Sequence, residues 1–378
     1  MRLKSLFVTL GVALCLAVNI AAAGPLEDAQ IAYNNADYET ALRLLMPLAD
    51  QGIPDAQFNL GVLYANGQGV TLNNGEAVRW YQRAAEQGYA DAQYNLAIMF
   101  YNGSGVPQDY TQALKWFRNV ADQGNAGGQN YVGGMYQDGL GVPQDKVEAV
   151  KWFRKAADQG YAIAQRNLGS AYIDGLGGLP QDSVIAAQWY RKAAEQGLPI
   201  AQYFLGSLYF HGEGVPKDYV EAAKWDRLAA EQGLAEAQVD LGHKYENGQG
   251  VSQDLTEAAA WYRKAAEQNN AMGQYNLGVC YNLGKGVPED GKEALNWYLK
   301  AADQGQLDSQ FNLGALYSNG SLVPQDILQA HMWFELAKRA GDMEARTRLE
   351  DLEKQMSPDQ IASSTWRANK WADAHTGR

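Results

Sequence analysis

The groups able to do acid–base or nucleophilic chemistry are few and scattered. Histidine occurs at His211, His243, His331 and His375. None belongs to a His-Glu-x-x-His pattern, and neither Ser-x-x-Lys nor Cys-x-x-Cys occurs anywhere in the chain. Zinc hydrolysis, acyl-serine chemistry and dithiol redox chemistry therefore lack their local signatures. Cys280 follows Leu277-Gly278 by two positions and is expected to be a small buried filler. Paired glycines such as Gly103/Gly105 could cradle a phosphate, but no strand precedes them and no Lys-Ser/Thr follows. Acidic residues recur once per loop, which is the placement of helix caps and not of a metal site. What remains is recognition without covalent chemistry, carried by aromatic side chains mixed with a few polar ones.

Those side chains are positioned by a repeat. Tryptophan stands at Trp80, Trp116, Trp152, Trp189, Trp225, Trp261, Trp297 and Trp333, every 36 residues except for one step of 37. The extra residue falls in the Gly-Leu-Gly-Gly-Leu stretch 175–179, a loop position where an insertion costs little. Each period reads as two helices. The first runs through stretches such as Ala92-Gln93-Tyr94-Asn95-Leu96 and stops at a glycine pair, of which the eighth period keeps only Gly320. Val-Pro-Gln-Asp or a variant of it follows in most periods and cannot continue a helix. The second helix starts at Asn73, Asp109, Asp145, Asp182, Asp218, Asp254, Asp290 or Asp326. Seven of these eight have Glu or Gln three residues later, the capping-box spacing. Alanine three residues before each tryptophan shares its face, and a glycine such as Gly160 or Gly197, or once Asn269, ends the helix. Neither helix can bury its apolar stripe alone, so neighbours must stack into a continuous core.

Helical phase then divides the first helix. At about 100° per residue, positions 56, 57, 60, 61, 63 and 64 share one side, while 55, 58, 62, 65 and 66 share the other. The first set barely changes between periods, as a packed core requires. The second set varies. Along the chain it reads Phe58; Tyr94, Ile98 and Tyr101; Asn130; Arg166 and Ile173; Tyr203, Phe210 and His211; His243 and Glu246; Tyr275 and Asn282; and Phe311. A ring recurs at 58, 94, 203, 275 and 311, so part of this set could instead support stacking. Arg166, His211 and His243 are departures from the repeat.

Composition narrows the partner. A formal charge of −12 with no basic patch disfavours nucleic acid, whose phosphates need one. The start of the chain reads as a secretory signal. Arg2 and Lys4 precede an apolar run from Leu6 to Ile20, and Ala21-Ala22-Ala23 marks cleavage after Ala23. The run is too short for a comfortable membrane span. Leu14 before Cys15 disfavours lipidation, and cleavage leaves Cys280 as the sole cysteine, so no internal disulfide is possible. A periplasmic or secreted protein is expected.

The pattern Ala-Gln-x-x-Leu-Gly, then Tyr-x-x-Gly-x-Gly-Val, then Asp-x-x-x-Ala-x-x-Trp-Tyr-Arg-Lys-Ala-Ala-Glu-Gln-Gly resembles the Sel1-like repeat family, a relative of the tetratricopeptide repeats. The resemblance covers 52–340 in eight copies. It implies an all-α, α/α superhelical solenoid whose first helices line a concave surface, and a role as adaptor or scaffold in envelope assembly or host interaction. Residues 24–51 then form an N-terminal capping helix pair and 341–378 the C-terminal caps. Ser357-Pro358 starts a last helix on which Trp366 and Trp371 cover the final open face. Some cysteine-rich relatives are described as β-lactamases or penicillin binders, but the cysteine pairs bridging their helices are absent here. The expectation is a monomeric, non-enzymatic binder of other proteins with no cofactor or metal. A cell-wall enzyme or glycan-binding envelope protein is the alternative.

Overall fold

The computed structural model describes residues 24–375, so the segment read as an export signal lies outside the described residues. All twenty described helices are α and no strand occurs among the described residues. Two helices, α1 (Pro25–Asn34) and α2 (Tyr38–Asp50), precede the repeats. The first helices of the eight repeats are α3 (Pro54–Asn66), α5 (Ala90–Asn102), α7 (Ala126–Asp138), α9 (Ala162–Asp174), α11 (Pro199–His211), α13 (Ala235–Asn247), α15 (Ala271–Leu283) and α17 (Leu307–Asn319). The second helices are α4 (Asn74–Glu86), α6 (Tyr110–Asp122), α8 (Lys146–Asp158), α10 (Ser183–Glu195), α12 (Tyr219–Glu231), α14 (Leu255–Glu267), α16 (Gly291–Asp303) and α18 (Ile327–Arg339). The chain ends in α19 (Met343–Glu353) and α20 (Pro358–His375). It is a helical repeat solenoid. It divides after Asp145 into two compact units, each a stack of neighbouring helices. The extra residue of the fourth repeat is taken up in a short 3₁₀ turn, Leu176–Gly178.

The helix starts use half of the expected capping box. Asp182 accepts from the Ile185 amide at 2.9 Å, and Asp254 accepts from Thr256 at 2.9 Å and Glu257 at 3.1 Å. The cap residue's own amide, which the box would return to Glu or Gln, is already committed. It donates to a carbonyl of the preceding first helix, as in Asp109 to Phe100, Asp218 to Tyr209 and Asp290 to Tyr281, each at 2.9 Å. That bond ties the loop to the helix before it. The freed acids pair along the helix instead, Glu76 with Arg79 at 2.6 Å and Glu221 with Lys224 at 3.1 Å. At the start of α20, by contrast, Ser357 and Gln360 exchange both bonds.

Stacking is fixed by two further devices. The second glycine of each pair lies against the first turn of the preceding second helix. A Cβ on Gly69 would come within 2.8 Å of the Tyr38 carbonyl oxygen. In the eighth repeat Leu322 replaces this glycine, and the missing space is found on the other side of the same contact. There α16 opens with Gly291, where its siblings carry larger residues, and a Cβ on Gly291 would meet Leu322. The second device is a buried glutamine ladder. Gln202 donates to the Ala194 carbonyl at 3.1 Å and accepts from Gln232 at 2.8 Å, and Gln93, Gln238 and Gln274 repeat the arrangement with Gln123, Gln268 and Gln304. Ala340 stands where the ladder would continue, leaving Gln310 Oε1 without a partner among the described residues. Gln202→Met keeps the volume but removes the bonds to the Ala194 carbonyl and from Gln232, and is expected to cost about 0.5–1.5 kcal/mol in denaturant titration. An unchanged midpoint would show the ladder to be energetically silent.

At the end of the chain the two tryptophans separate. Trp371 packs against Trp333, ring centroids 5.4 Å apart, in a core that includes Leu313, Leu316 and Ala368. Trp366 points away and is 60% exposed, so it does not cover the final face. The two lie five residues apart on α20, which turns them to different sides of the helix.

Candidate functional site

Burial divides the first helices as helical phase requires. On α3, residues 56, 57, 60, 61 and 63 are buried, Asp55 and Asn66 are exposed, and Phe58, Val62, Tyr64 and Ala65 are half-buried. The recurring ring of the variable side is not free, however. Phe58 lies 5.8 Å from Tyr81, Tyr94 lies 5.7 Å from Phe117, Tyr275 lies 6.2 Å from Tyr298, and Phe311 lies 5.7 Å from Phe334. Each ring thus leans on the second helix of its own repeat. Tyr94 and Tyr101 join a further cluster with Phe117 and Tyr131. Ile98, Ile173 and Asn282 are half-buried. Arg166 is half-buried beside Tyr190, and its Nε has no hydrogen-bond partner among the described residues.

The repeats differ most between α11 and α15. A Tyr or Phe follows the tryptophan of every second helix except the fifth, where Asp226 follows Trp225. In five of the siblings that ring lies against a glycine of the first helix, Gly61, Gly169, Gly242, Gly278 or Gly314. A Cβ on Gly169 would be 2.8 Å from the Tyr190 ring, and one on Gly278 would be 2.6 Å from Tyr298. In the fifth repeat Gly206 remains but faces the Asp226 carboxylate. Two more changes accompany the loss of the ring. Lys244 occupies the position of Leu63, Met99, Leu208 and Leu316, and Asp240 that of Asn59, Asn95, Asn167, Asn276 and Asn312. Asn95 and Asn312 lie beside the hydroxyls of Tyr81 and Tyr298. With no hydroxyl at 226, an amide at 240 would have no such neighbour.

The three substitutions form one charged group. Lys244 and Asp226 are 4% and 1% exposed, with Nζ 2.5 Å from Oδ2. Lys244 Nζ also lies 4.7 Å from the Phe210 ring centroid. Burial pushes the Asp226 carboxyl up, and Lys244 pulls it partly back. Asp240 bonds the Tyr203 hydroxyl. Burial raises its carboxyl too, with Lys244, His243 and His211 opposing. His243 Nε2 meets the Asn276 amide at 3.0 Å, and Glu246 accepts from Tyr262 at 2.8 Å and Lys285 at 2.9 Å. An open pocket of about 240 Å³ adjoins the group, lined by Ser207, Phe210, His211, Asp240, His243, Lys244 and Gln249.

Tyr203, Phe210, His211 and His243, assigned to one face from the sequence, lie around this charged group, whereas Glu246, assigned to the same face, pairs with Tyr262 of its own repeat and Lys285 of the next. Asp226, Asp240 and Lys244 were not anticipated. Their signal was nonetheless present, because each breaks its column when the eight repeats are aligned on tryptophan.

One constellation has the outline of a catalytic triad. Ser364 Oγ lies 2.6 Å from His331 Nδ1, and Glu353 lies 3.3 Å from His331 Nε2. Ser364 is fully buried and also bonds the Leu328 carbonyl at 3.2 Å. No substrate atom could reach it, and the group instead joins α20 to α18 and α19. Cys280 is buried, and burial pushes its thiol up to about 12, as suits an inert filler. Among the described residues no cluster of three or more His, Cys, Asp or Glu could hold a metal ion. No described helix is long and apolar enough to cross a membrane.

Eight consecutive segments match the Sel1 repeat, at 54–89, 90–125, 126–161, 162–198, 199–234, 235–270, 271–306 and 307–342. Among solved structures, c5321 of uropathogenic Escherichia coli, described as a protective antigen with an SLR fold, is similar at 29% identity and a TM-score of 0.62. That match covers 93% of this chain and 92% of the other. A Sel1 repeat protein from Oxalobacter formigenes is 35% identical with a TM-score of 0.58, over 66% of this chain and 98% of the other. Comparison with curated proteins gives no match.

Proposed function

The chain belongs to the Sel1 repeat family, and from that premise we propose that it is an exported, non-catalytic scaffold that binds another protein through the variable face of its first helices. Sel1 repeat proteins generally mediate protein–protein interaction. The observation that carries the reading is a local departure from the repeat. On α11 and α13, Tyr203, Phe210, His211 and His243 lie about a charged group found in no other described repeat, beside an open pocket. Residues whose only task was stacking would have no reason to depart from their columns. The signal-like segment 1–23 supports work in the envelope or outside the cell. A role in host contact or envelope assembly accords with the E. coli relative being a protective antigen. No catalytic step is assigned, since Asp226 and Lys244 hold each other in a buried pair and the buried serine is closed to solvent.

The test returns two positions to residues that sibling repeats carry. His211→Asn matches Asn66 and Asn102, and His243→Val matches Val62 and Val279, so the fold is expected to persist. Tagged wild-type and double-variant protein, expressed in the native host and cross-linked, are compared by quantitative mass spectrometry. The expected result is a protein enriched by the wild type and reduced at least about tenfold by the variant, a loss of about 1.4 kcal/mol. Identical enrichment by both, at equal melting temperature, removes the face from the binding reading.

A further inference from the structure

The pocket between α11 and α13 carries an imbalance of charge that the fold does not resolve. Asp226 and Asp240 supply two carboxylates and Lys244 one ammonium, and Asp226 takes that ammonium at 2.5 Å. Asp240 keeps a hydroxyl bond from Tyr203 but no ion-pair partner among the described residues. Once both carboxyls are ionised, the group carries one unit of net negative charge in a half-enclosed space, where the local dielectric strengthens its pull on a cation. The walls are flat and partly apolar. The Phe210 ring stands nearly perpendicular to the His211 ring, centroids 5.1 Å apart, and His243 lies opposite on α13. At about 240 Å³ the pocket is sized for one long side chain and not for a domain. An anionic occupant would find Lys244 already neutralised and Asp240 opposing it. The net charge of −12 on the whole chain likewise favours basic partners.

We propose that this pocket receives a basic side chain of the bound protein, arginine in preference to lysine, with Asp240 as its counter-ion and the aromatic wall of Phe210, His211 and His243 beside it. The planar guanidinium can lie on a ring and bond a carboxylate at the same time, whereas an ammonium can only do the latter well. The proposal rests on the protein-binding reading above, but it can fail alone.

The probes are N-acetyl-arginine methylamide, the corresponding lysine compound, and the citrulline compound, which keeps the shape of arginine without its charge. Each is titrated into the full-length mature protein while the imidazole resonances of His211 and His243 are followed by NMR. A single residue bound this way is expected to saturate at roughly millimolar concentration. The expected result is saturable shifts with the arginine probe, weaker ones with lysine, and at least a tenfold loss with citrulline. Asp240→Asn, which installs the residue five other repeats carry, is expected to melt normally and to lose the arginine response at least tenfold. No saturation with arginine, equal binding of citrulline, or an undiminished response in Asp240→Asn overturns the proposal. Should that happen while the wild type still enriches a protein that the His211/His243 variant loses, the pocket assignment falls and the binding face stands.

Discussion

Lys244→Leu alone is expected to destabilise the protein by about 3–5 kcal/mol, whereas Lys244→Leu combined with Asp226→Tyr is expected to stabilise it by about 1–4 kcal/mol. The opposite signs follow from burial. Removing only the ammonium leaves Asp226, 1% exposed, as a charge with neither solvent nor counter-ion. Removing both charges restores the tyrosine-on-glycine contact that Gly242 and Tyr262 make one repeat later, and ends the desolvation of two ions. Because the Asp226 carboxyl is raised by burial, the folded state holds a proton that the unfolded chain releases at ordinary carboxylate pH. Its contribution to stability is therefore greatest in acid and is lost as pH rises from the ordinary carboxylate range through the raised value. The double variant should lose the Asp226 part of that slope and keep the part due to Asp240, whose carboxyl burial also raises. Denaturant titrations followed by tryptophan fluorescence at pH 5 and pH 8 read both effects. Hydrogen exchange at α12 and α13 locates them, which matters because a repeat stack can open locally. A double variant less stable than wild type would show that the pair was kept for stability. The expected gain means that the wild-type sequence retains a costly arrangement beside an open pocket, as a recognition site would.

The sequence carried the architecture because the repeat states each rule eight times. The tryptophan period, the left-handed glycines and the cap residues each recur often enough that one exception is informative. The eighth repeat keeps Gly320 without a second glycine, yet Gly291 one repeat earlier supplies the same space from the opposite side. No local rule links residues 31 positions apart, so that exchange needed the fold. The role of Gln202 and its siblings was hidden for the same reason, since Gln232 lies thirty residues away along the chain. The capping box misled because the spacing was correct while the amide it needed was bonded across the loop. The candidate face was half legible. Phase placed His211 and His243 on the free side, but the rings at 58, 94, 275 and 311 proved to lean on second helices. Comparing columns would have found Asp226, Asp240 and Lys244 as three departures in consecutive helices. Only coordinates reveal that they meet.

Trp371→Ala is expected to cost about 3 kcal/mol, while Trp366→Ala should stay within about 0.5 kcal/mol, because the first fills the last core layer against Trp333 and the second is 60% exposed. The same terminal helix is sensitive to acid. His331 is 1% exposed, bonded to Ser364 on α20 and Glu353 on α19, and neighboured by Glu335 and Lys338. Burial lowers its imidazole below the ordinary value, and the carboxylates of Glu353 and Glu335 only partly restore it. The unfolded chain therefore takes up a proton first as pH falls. Stability contributed by buried neutral His331 is complete above about pH 6.5 and is lost as pH drops toward the lowered value. Urea titrations at pH 7.5 and 5.0 should show wild-type α20 loosening in acid. His331→Leu with Ser364→Ala removes both polar partners together and should be much less pH-dependent. If the double variant weakens in acid as steeply as the wild type, the sensitivity lies elsewhere, and His331 is a packing residue whose proton is irrelevant. If it does not, this Ser–His–Glu group is a structural joint whose geometry resembles catalysis but whose burial confines it to holding the last helix in place.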